Sequence, residues 1–180
     1  MPIELPFPDP PLEDELVRLR AWRPGDAKAA AAWGSDPEIL RWTSVPEGRD
    51  ERGVRMFHLS TEALRRSGEA IHFAIVDAHD TVLGSCDIRV NRYDPKIVEL
   101  GYLLDAAGRG HGLATASVRL MASWAAETLG VARIQVLCHP DNERSHRVAE
   151  RAGFTREGVL RAWREHNGVR EDRVVFALIP

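Results

Sequence analysis

The stretch Leu103-Leu104-Asp105-Ala106-Ala107-Gly108-Arg109-Gly110-His111-Gly112-Leu113-Ala114-Thr115 carries the densest chemical signal in this chain. It leaves a strand-like apolar run, crosses three glycines and enters a long helical pattern. The first N–H groups of a helix lack an intrahelical partner and carry the positive end of its dipole. With small residues around them, a phosphate can approach closely, so the segment reads as an anion or pyrophosphate site. A plain strand-to-helix turn would have the same composition. Two nucleotide patterns fail here. GxGxxG needs its third glycine where Leu113 or Thr115 stands, and a Walker loop needs a lysine, whereas the only lysines are Lys28 and Lys96.

Nucleophiles and bases are few. Cys86 and Cys138 form no CxxC pair and sit in no Cys/His pattern, so both read as reduced, buried thiols. No GxSxG elbow is present. The seven histidines show neither HExxH nor zinc-finger spacing, and no metal is expected. Glu99 is the carboxylate that needs explaining. In an extended run over 96–104 it shares a face with Gly101 and Leu103, while Val98, Leu100 and Tyr102 take the other. A carboxylate in an otherwise apolar strand faces solvent or a polar cleft. In a cleft it is a general-base candidate. His72 and Asp87 are candidates to line that cleft, with no role assigned.

The periodicities predict the elements that position these groups. Residues 15–22 alternate as a half-buried strand, and Pro24 and Asp26 open an alanine-rich helix through Trp33. Asp36-Pro37 starts a further short helix or turn, and a helix over 50–67 stops at Gly68. Strands follow at 70–77, 81–90 and 96–104, then a helix at about 111–129, a strand at 132–138, a helix at 143–153 and a terminal hairpin. This is an α/β chain of the α+β type, one domain on a mixed, mostly antiparallel sheet flanked by helices. The first 14 residues hold five prolines and read as an extended arm on the surface or a disordered one, with the domain at 15–180.

Composition narrows the function class. With 24 basic against 27 acidic residues there is no basic excess for phosphate-backbone binding, so no direct nucleic-acid partner is expected. The five tryptophans read as core or groove walls rather than a base-stacking platform. No apolar run approaches the roughly 20 residues of a spanning helix. No leader pattern is visible, so the expected location is the cytoplasm, without membrane association.

Arg109-x-x-Gly112-x-Ala114 resembles the R/Q-x-x-G-x-G/A signature of the GNAT superfamily of N-acetyltransferases, and the five-step spacing from Leu104 to Arg109 also matches. Asn142-Glu143-Arg144-Ser145 and its continuation to Gly153-Phe154 resemble the next family motif. VRLRAWRPGDA and EGVLRAWREHNG resemble the branch of ribosomal-protein N-terminal acetyltransferases. The resemblance covers roughly residues 15–180 and implies a GNAT-like domain with acetyl-CoA as cosubstrate. It implies that the amides of Gly110, His111, Gly112, Leu113, Ala114 and Thr115 bind the pyrophosphate. Arg109 would add a charged contact or stay a solvated loop residue. Tyr102, Leu103 and Leu104 would offer backbone groups to the pantetheine arm. Asn142 would bond that arm or serve as an N-cap.

The resemblance also bears on catalysis. Many members carry a tyrosine acid seven residues after the asparagine, but here Ala149 stands there. The resembled branch instead tends to carry serine three residues after it. Ser145 is thus the candidate to assist thiolate departure, unless its hydroxyl is satisfied locally. An acid before Gly-Tyr in this branch implies that Glu99 accepts the amine proton. The expected activity is direct acetyl transfer to a primary amine, a protein or peptide N-terminus. The alternatives are a small-molecule amine acceptor and a non-catalytic acyl-CoA-binding module. Oligomeric state is not legible.

Overall fold

The computed structural model describes residues 4–166 and 168–180. Eight strands form one sheet: β1 (Leu12–Glu13), β2 (Arg18–Arg20), β3 (Ala70–Val76), β4 (Val82–Val90), β5 (Ile97–Leu104), β6 (Arg133–Cys138), β7 (Thr155–His166) and β8 (Val169–Leu178), ordered β1-β2-β3-β4-β5-β6-β8-β7. Neighbours are antiparallel except β5 and β6. Those two run parallel and pair over only three positions, Ile97↔Arg133 to Glu99↔Gln135. Past Glu99 they separate, while β5 stays fully paired to β4 through Leu104.

Among the described residues five α-helices cover the two faces: α1 (Ala27–Ala31), α2 (Pro37–Trp42) and α3 (Glu51–Arg66) on one, α4 (Leu113–Trp124) and α5 (Glu143–Arg151) on the other. Local chemistry sets their ends. Asp36 caps α2 by accepting from the amides of Glu38 and Ile39, and Asp50 caps α3 by accepting from Gly53. The main core joins Ile71, Phe73, Ile75, Ile88, Val98 and Leu100 to Leu113, Val118, Met121 and Trp124. A second, smaller core sets Ala74, Val76 and Val82 against Ala27, Trp33, Ile39 and Val54. β3 is therefore buried on both faces. The expected elements all occur; the helix expected at 111–129 is α-helical over 113–124 and then widens into a π turn over 125–129.

The proline-rich arm is extended and mostly exposed, and it is anchored to the core at two residues. Leu5 is 7% exposed, Phe7 packs edge-on to Phe73 at 5.9 Å, and Arg65 donates to the Leu5 carbonyl at 2.7 Å. Prolines interrupt ladder bonding without preventing the leucine and phenylalanine between them from being buried. Residues 1–3 of the arm lie outside the described residues.

A buried ion pair fixes the helical layer that walls the site. Arg20 donates to both carboxylate oxygens of Asp26, at 2.8 and 3.0 Å, and to Asp80 at 2.8 Å. The Arg23 amide adds a 2.7 Å bond to Asp26. Burial alone would raise the Asp26 pKa, but the Arg20 and Arg23 hydrogen bonds outweigh it and hold the carboxyl below its usual range. Asp26→Asn removes the charge matched to Arg20. It is expected to cost about 3 kcal/mol of unfolding free energy, read from urea denaturation. A loss under about 0.5 kcal/mol, the scale of an ordinary surface change, would deny the pair this role.

Candidate functional site

A cleft of about 1320 Å³ lies between the sheet and the α1–α3 layer and continues to the N-termini of α4 and α5. The glycine-rich loop forms one end. Gly110 and Gly112 both have positive φ, 85° and 84°, and Gly112 caps α4 with no side-chain bond. Ala116 donates back to the Gly112 carbonyl, but the amides of Leu113, Ala114 and Thr115 have no hydrogen bond among the described residues. Three donors at a helix start thus face the cleft, as an anion requires. His111, unlike its neighbours Gly110 and Gly112, is exposed and does not line the cleft.

Arg109 resolves differently from its solvated alternative. Its guanidinium donates to Asp36 at 2.6 Å and to the Leu104 carbonyl at 3.1 Å. Asp36 therefore caps α2 with one oxygen and clamps the loop with the other. Burial works against the Asp36 charge, and the Ile39 amide and Arg109 outweigh it, so its pKa falls. Arg109 joins the α2 layer to the loop and engages one of the carbonyls expected to meet the pantetheine. The divergence of β5 from β6 leaves Leu100–Leu104 without a ladder partner on the β6 side. Tyr102, Leu103 and Leu104 all line the resulting slot.

Two sets of polar side chains flank the slot on opposite faces of β5. On the α1–α3 face, Arg89 meets Asp87 at 2.7 Å as an ion pair without hydrogen-bond alignment, and reaches Glu99 Oε1 at 3.3 Å. Burial opposes the Arg89 charge, yet Asp87 and Glu99 outweigh it and raise its pKa. Glu99 lines the cleft, and neither of its carboxylate oxygens accepts a hydrogen bond among the described residues. A Cβ at Gly101 would lie 2.5 Å from Arg89 Nη2 and 2.7 Å from Asp87 Oδ1, so this pair needs glycine there. His72 lines the same wall, and burial lowers its pKa.

On the α4–α5 face, the Tyr102 hydroxyl lies 2.7 Å from Ser145 Oγ, which is also 3.1 Å from Cys138 Sγ. Burial keeps the Tyr102 phenol neutral by raising its pKa well above normal. The hydroxyl pair leaves Ser145 able to donate to a third group in the slot. Asn142 is the N-cap of α5, accepting from the Ser145 amide at 3.1 Å. Its side-chain NH2 has no partner among the described residues and borders the cleft. The sequence reading missed the Tyr102 side chain, although a phenol on an apolar strand face signals a hydrogen-bond partner opposite. It also missed Arg89, the cross-strand neighbour of Glu99, and the part of the cleft wall that Arg49, Phe57 and His58 form beside Trp22 and Trp33. Among the described residues no group of three or more His, Cys, Asp or Glu is arranged to hold a metal, and no helix is long and apolar enough to cross a membrane.

Comparison with known proteins places residues 17–155 on the model of the acetyltransferase (GNAT) domain. The uncharacterized N-acetyltransferase p20 of Bacillus licheniformis is 27% identical over 169 residues, 93% of this chain and 95% of that protein. The ribosomal-protein-serine acetyltransferase of Escherichia coli is 31% identical over 144 residues, 79% of this chain and 78% of that protein. In fold, the chain resembles the microcin C7 self-immunity acetyltransferase MccE, solved with acetyl-CoA and AMP. The TM-score is 0.83 at 20% identity, covering 93% of this chain and 94% of that one.

The thiols test the slot geometry. Burial pushes the Cys138 thiol up to about 11, against the opposing Ser145 hydrogen bond, and holds Cys86 well above its ordinary value. At pH 8 about one Cys138 thiol in a thousand is then ionised. Alkylation with iodoacetamide at pH 8, followed by mass spectrometry, should be far slower in the folded than in the urea-unfolded protein. Equal rates would contradict the placement of both thiols.

Proposed function

The chain belongs to the GNAT acetyltransferase family, and from that premise we propose that it transfers the acetyl group of acetyl-CoA directly to a primary amine, the α-amine of a protein or peptide N-terminus. One observation carries the reading. A single cleft runs from unpartnered helix-start amides, along an unpaired strand edge, to a carboxylate that accepts no hydrogen bond among the described residues.

In this reading the amides from Gly110 to Thr115 take the pyrophosphate, and the free edge of β5 takes the pantetheine as an added strand would. The Asn142 amide group adds a donor at the junction. The reacting carbonyl then lies in the slot, with Glu99 on one face of β5 and Ser145 on the other. The amine nitrogen attacks the thioester carbon, and Glu99 accepts the proton the nitrogen must lose. As the C–S bond breaks, the Ser145 hydroxyl donates a hydrogen bond to the departing thiolate. Tyr102 fixes the Ser145 rotor, and no covalent acetyl-enzyme forms. Both polar groups remain in place, which argues against a binding-only module.

The acceptor follows from proton arithmetic. An α-amine titrates near 7.7–8.0 and a lysine near 10.4, so at pH 7 roughly a tenth of the former but fewer than about one in a thousand of the latter are neutral. A site with one carboxylate base suits the α-amine. The E. coli relative, named for acetylating a ribosomal protein at serine, supports a protein acceptor. A small-molecule amine is the second reading, favoured by likeness to an enzyme solved with AMP.

Thiol release from acetyl-CoA, with mass mapping of a peptide carrying one α-amine and one lysine, tests both parts. Acetyl on the α-amine is expected, with Glu99→Gln lowering kcat by about 10²–10⁴. Acetyl confined to lysine or to non-peptide amines would overturn the acceptor assignment. An unchanged kcat in the variant would remove Glu99 from the mechanism.

A further inference from the structure

Four arginines in the cleft lining are at least partly withdrawn from solvent: Arg49, Arg89, Arg109 and Arg173. Three have carboxylate partners: Arg89 with Asp87 and Glu99, Arg109 with Asp36, and Arg173 with Glu171. Arg49 has no ion pair or side-chain hydrogen bond among the described residues. Its Nε is buried without an acceptor, and burial alone drags its pKa down. The contact recorded for its guanidinium is the Phe57 ring, 5.5 Å away. A half-buried guanidinium with a shielded, unbonded Nε and no anion is an unfavourable arrangement that folding does not need.

A second donor in the same lining is also orphaned. Trp22 Nε1 is buried with no acceptor. Its ring cannot easily turn to find one, because it stacks on His58 at 4.3 Å and meets the edge of Trp33 at 5.9 Å. Burial lowers the His58 pKa to about 4, so this imidazole is neutral at pH 7 and does not duplicate the Arg49 charge. Arg49 is equally fixed. Its turn is held by the bond from Gly48 N to the Gly34 carbonyl at 2.9 Å, and a Cβ at Gly34 would lie 2.7 Å from Arg49 N. The Arg49 side chain then lies across Gly53, whose Cβ would fall 3.0 Å from Arg49 Cγ.

We propose that Arg49 and Trp22 Nε1 form the anion-recognising end of the acceptor subsite and take a carboxylate carried by the amine substrate. The inference rests on the amine-acetylation reading and deepens it. Glu99 receives the amine, while Arg49 and Trp22 receive an acidic group elsewhere on the same molecule. A charge-assisted bond to guanidinium and a neutral bond to indole N–H would satisfy both orphaned donors at once. The carboxylate has two sources: an acidic side chain near a peptide N-terminus, or the terminal carboxylate of a short acceptor.

Three acceptors separate these sources: Ser-Asp amide, Ser-Asn with a free C-terminal carboxylate, and the neutral Ser-Asn amide. Each is titrated calorimetrically into the CoA-loaded protein and separately assayed with acetyl-CoA. At least one carboxylate-bearing dipeptide should bind about tenfold or more tighter than the neutral amide, the scale of one charged hydrogen bond. Arg49→Gln should erase that preference. Trp22→Phe, which keeps the stacked ring and loses only the N–H, should reduce the preference in part. Arg49→Gln should also melt at or above the wild-type temperature, because it removes an unmatched charge, whereas a structural arginine would lower it. Equal binding of all three dipeptides, no binding of any, or a preference that survives Arg49→Gln overturns the proposal. Discrimination in binding without acetyl transfer would keep the carboxylate subsite and count against the transferase reading instead.

Discussion

Everything in the site depends on β5 being paired to β6 for three residues and then released. Ladder bonds join them through Glu99↔Gln135, and beyond that point β5 keeps β4 but has no partner on the β6 side. Backbone N–H and C=O groups left without partners are costly unless something else meets them. The gap is therefore a ready place for an extended, amide-bearing ligand arm. It also lets groups on the two faces of one strand reach a common point. Glu99 comes from one side and the Tyr102–Ser145 pair from the other. In an unbroken sheet the backbone would separate them.

The walls of that gap are held by charge rather than by the core alone. Arg20 with Asp26 ties the first helical turn to β2, and Arg109 with Asp36 ties α2 to the glycine-rich loop. Both arginines make two-point contacts, to both oxygens of Asp26 in one case and to Asp36 and the Leu104 carbonyl in the other. Such contacts fix orientation as well as distance. Inside the cleft, Arg89 sits between Asp87 and Glu99, and Gly101 leaves room for it. The Glu99 carboxylate is thereby held at the cleft wall.

The parts legible in the sequence were those set by local rules. Alternation and helical spacing located the elements from β2 onward, though not the short β1 strand in the arm, and the glycines marked the loop at the start of α4, because backbone conformation decides both. Partners distant in the chain were not legible. Whether Glu99 faced solvent or a cleft depended on Arg89, which becomes its neighbour only through the β4–β5 register. Arg109 could not be matched to Asp36, 73 positions away, nor Tyr102 to Ser145, 43 positions away. Asn142 was readable as an N-cap because that bond spans three residues. Trp22 and Arg49 escaped notice for another reason. A tryptophan in an alternating run reads as core and an arginine in a polar turn reads as solvated, and only the absence of partners around them sets them apart. The anchoring of the proline-rich arm through Leu5 and Phe7 was not legible, because their partners Arg65 and Phe73 lie far along the chain.

The central claim is that both substrates occupy one cleft together and that acetyl passes directly between them. Initial rates measured while acetyl-CoA and a peptide amine are varied independently test it most directly. Direct transfer predicts reciprocal plots that intersect, and a protein mass unchanged after incubation with acetyl-CoA alone. Parallel plots, with a stable mass increase of one acetyl group, are the signature of a covalent intermediate and would contradict the account.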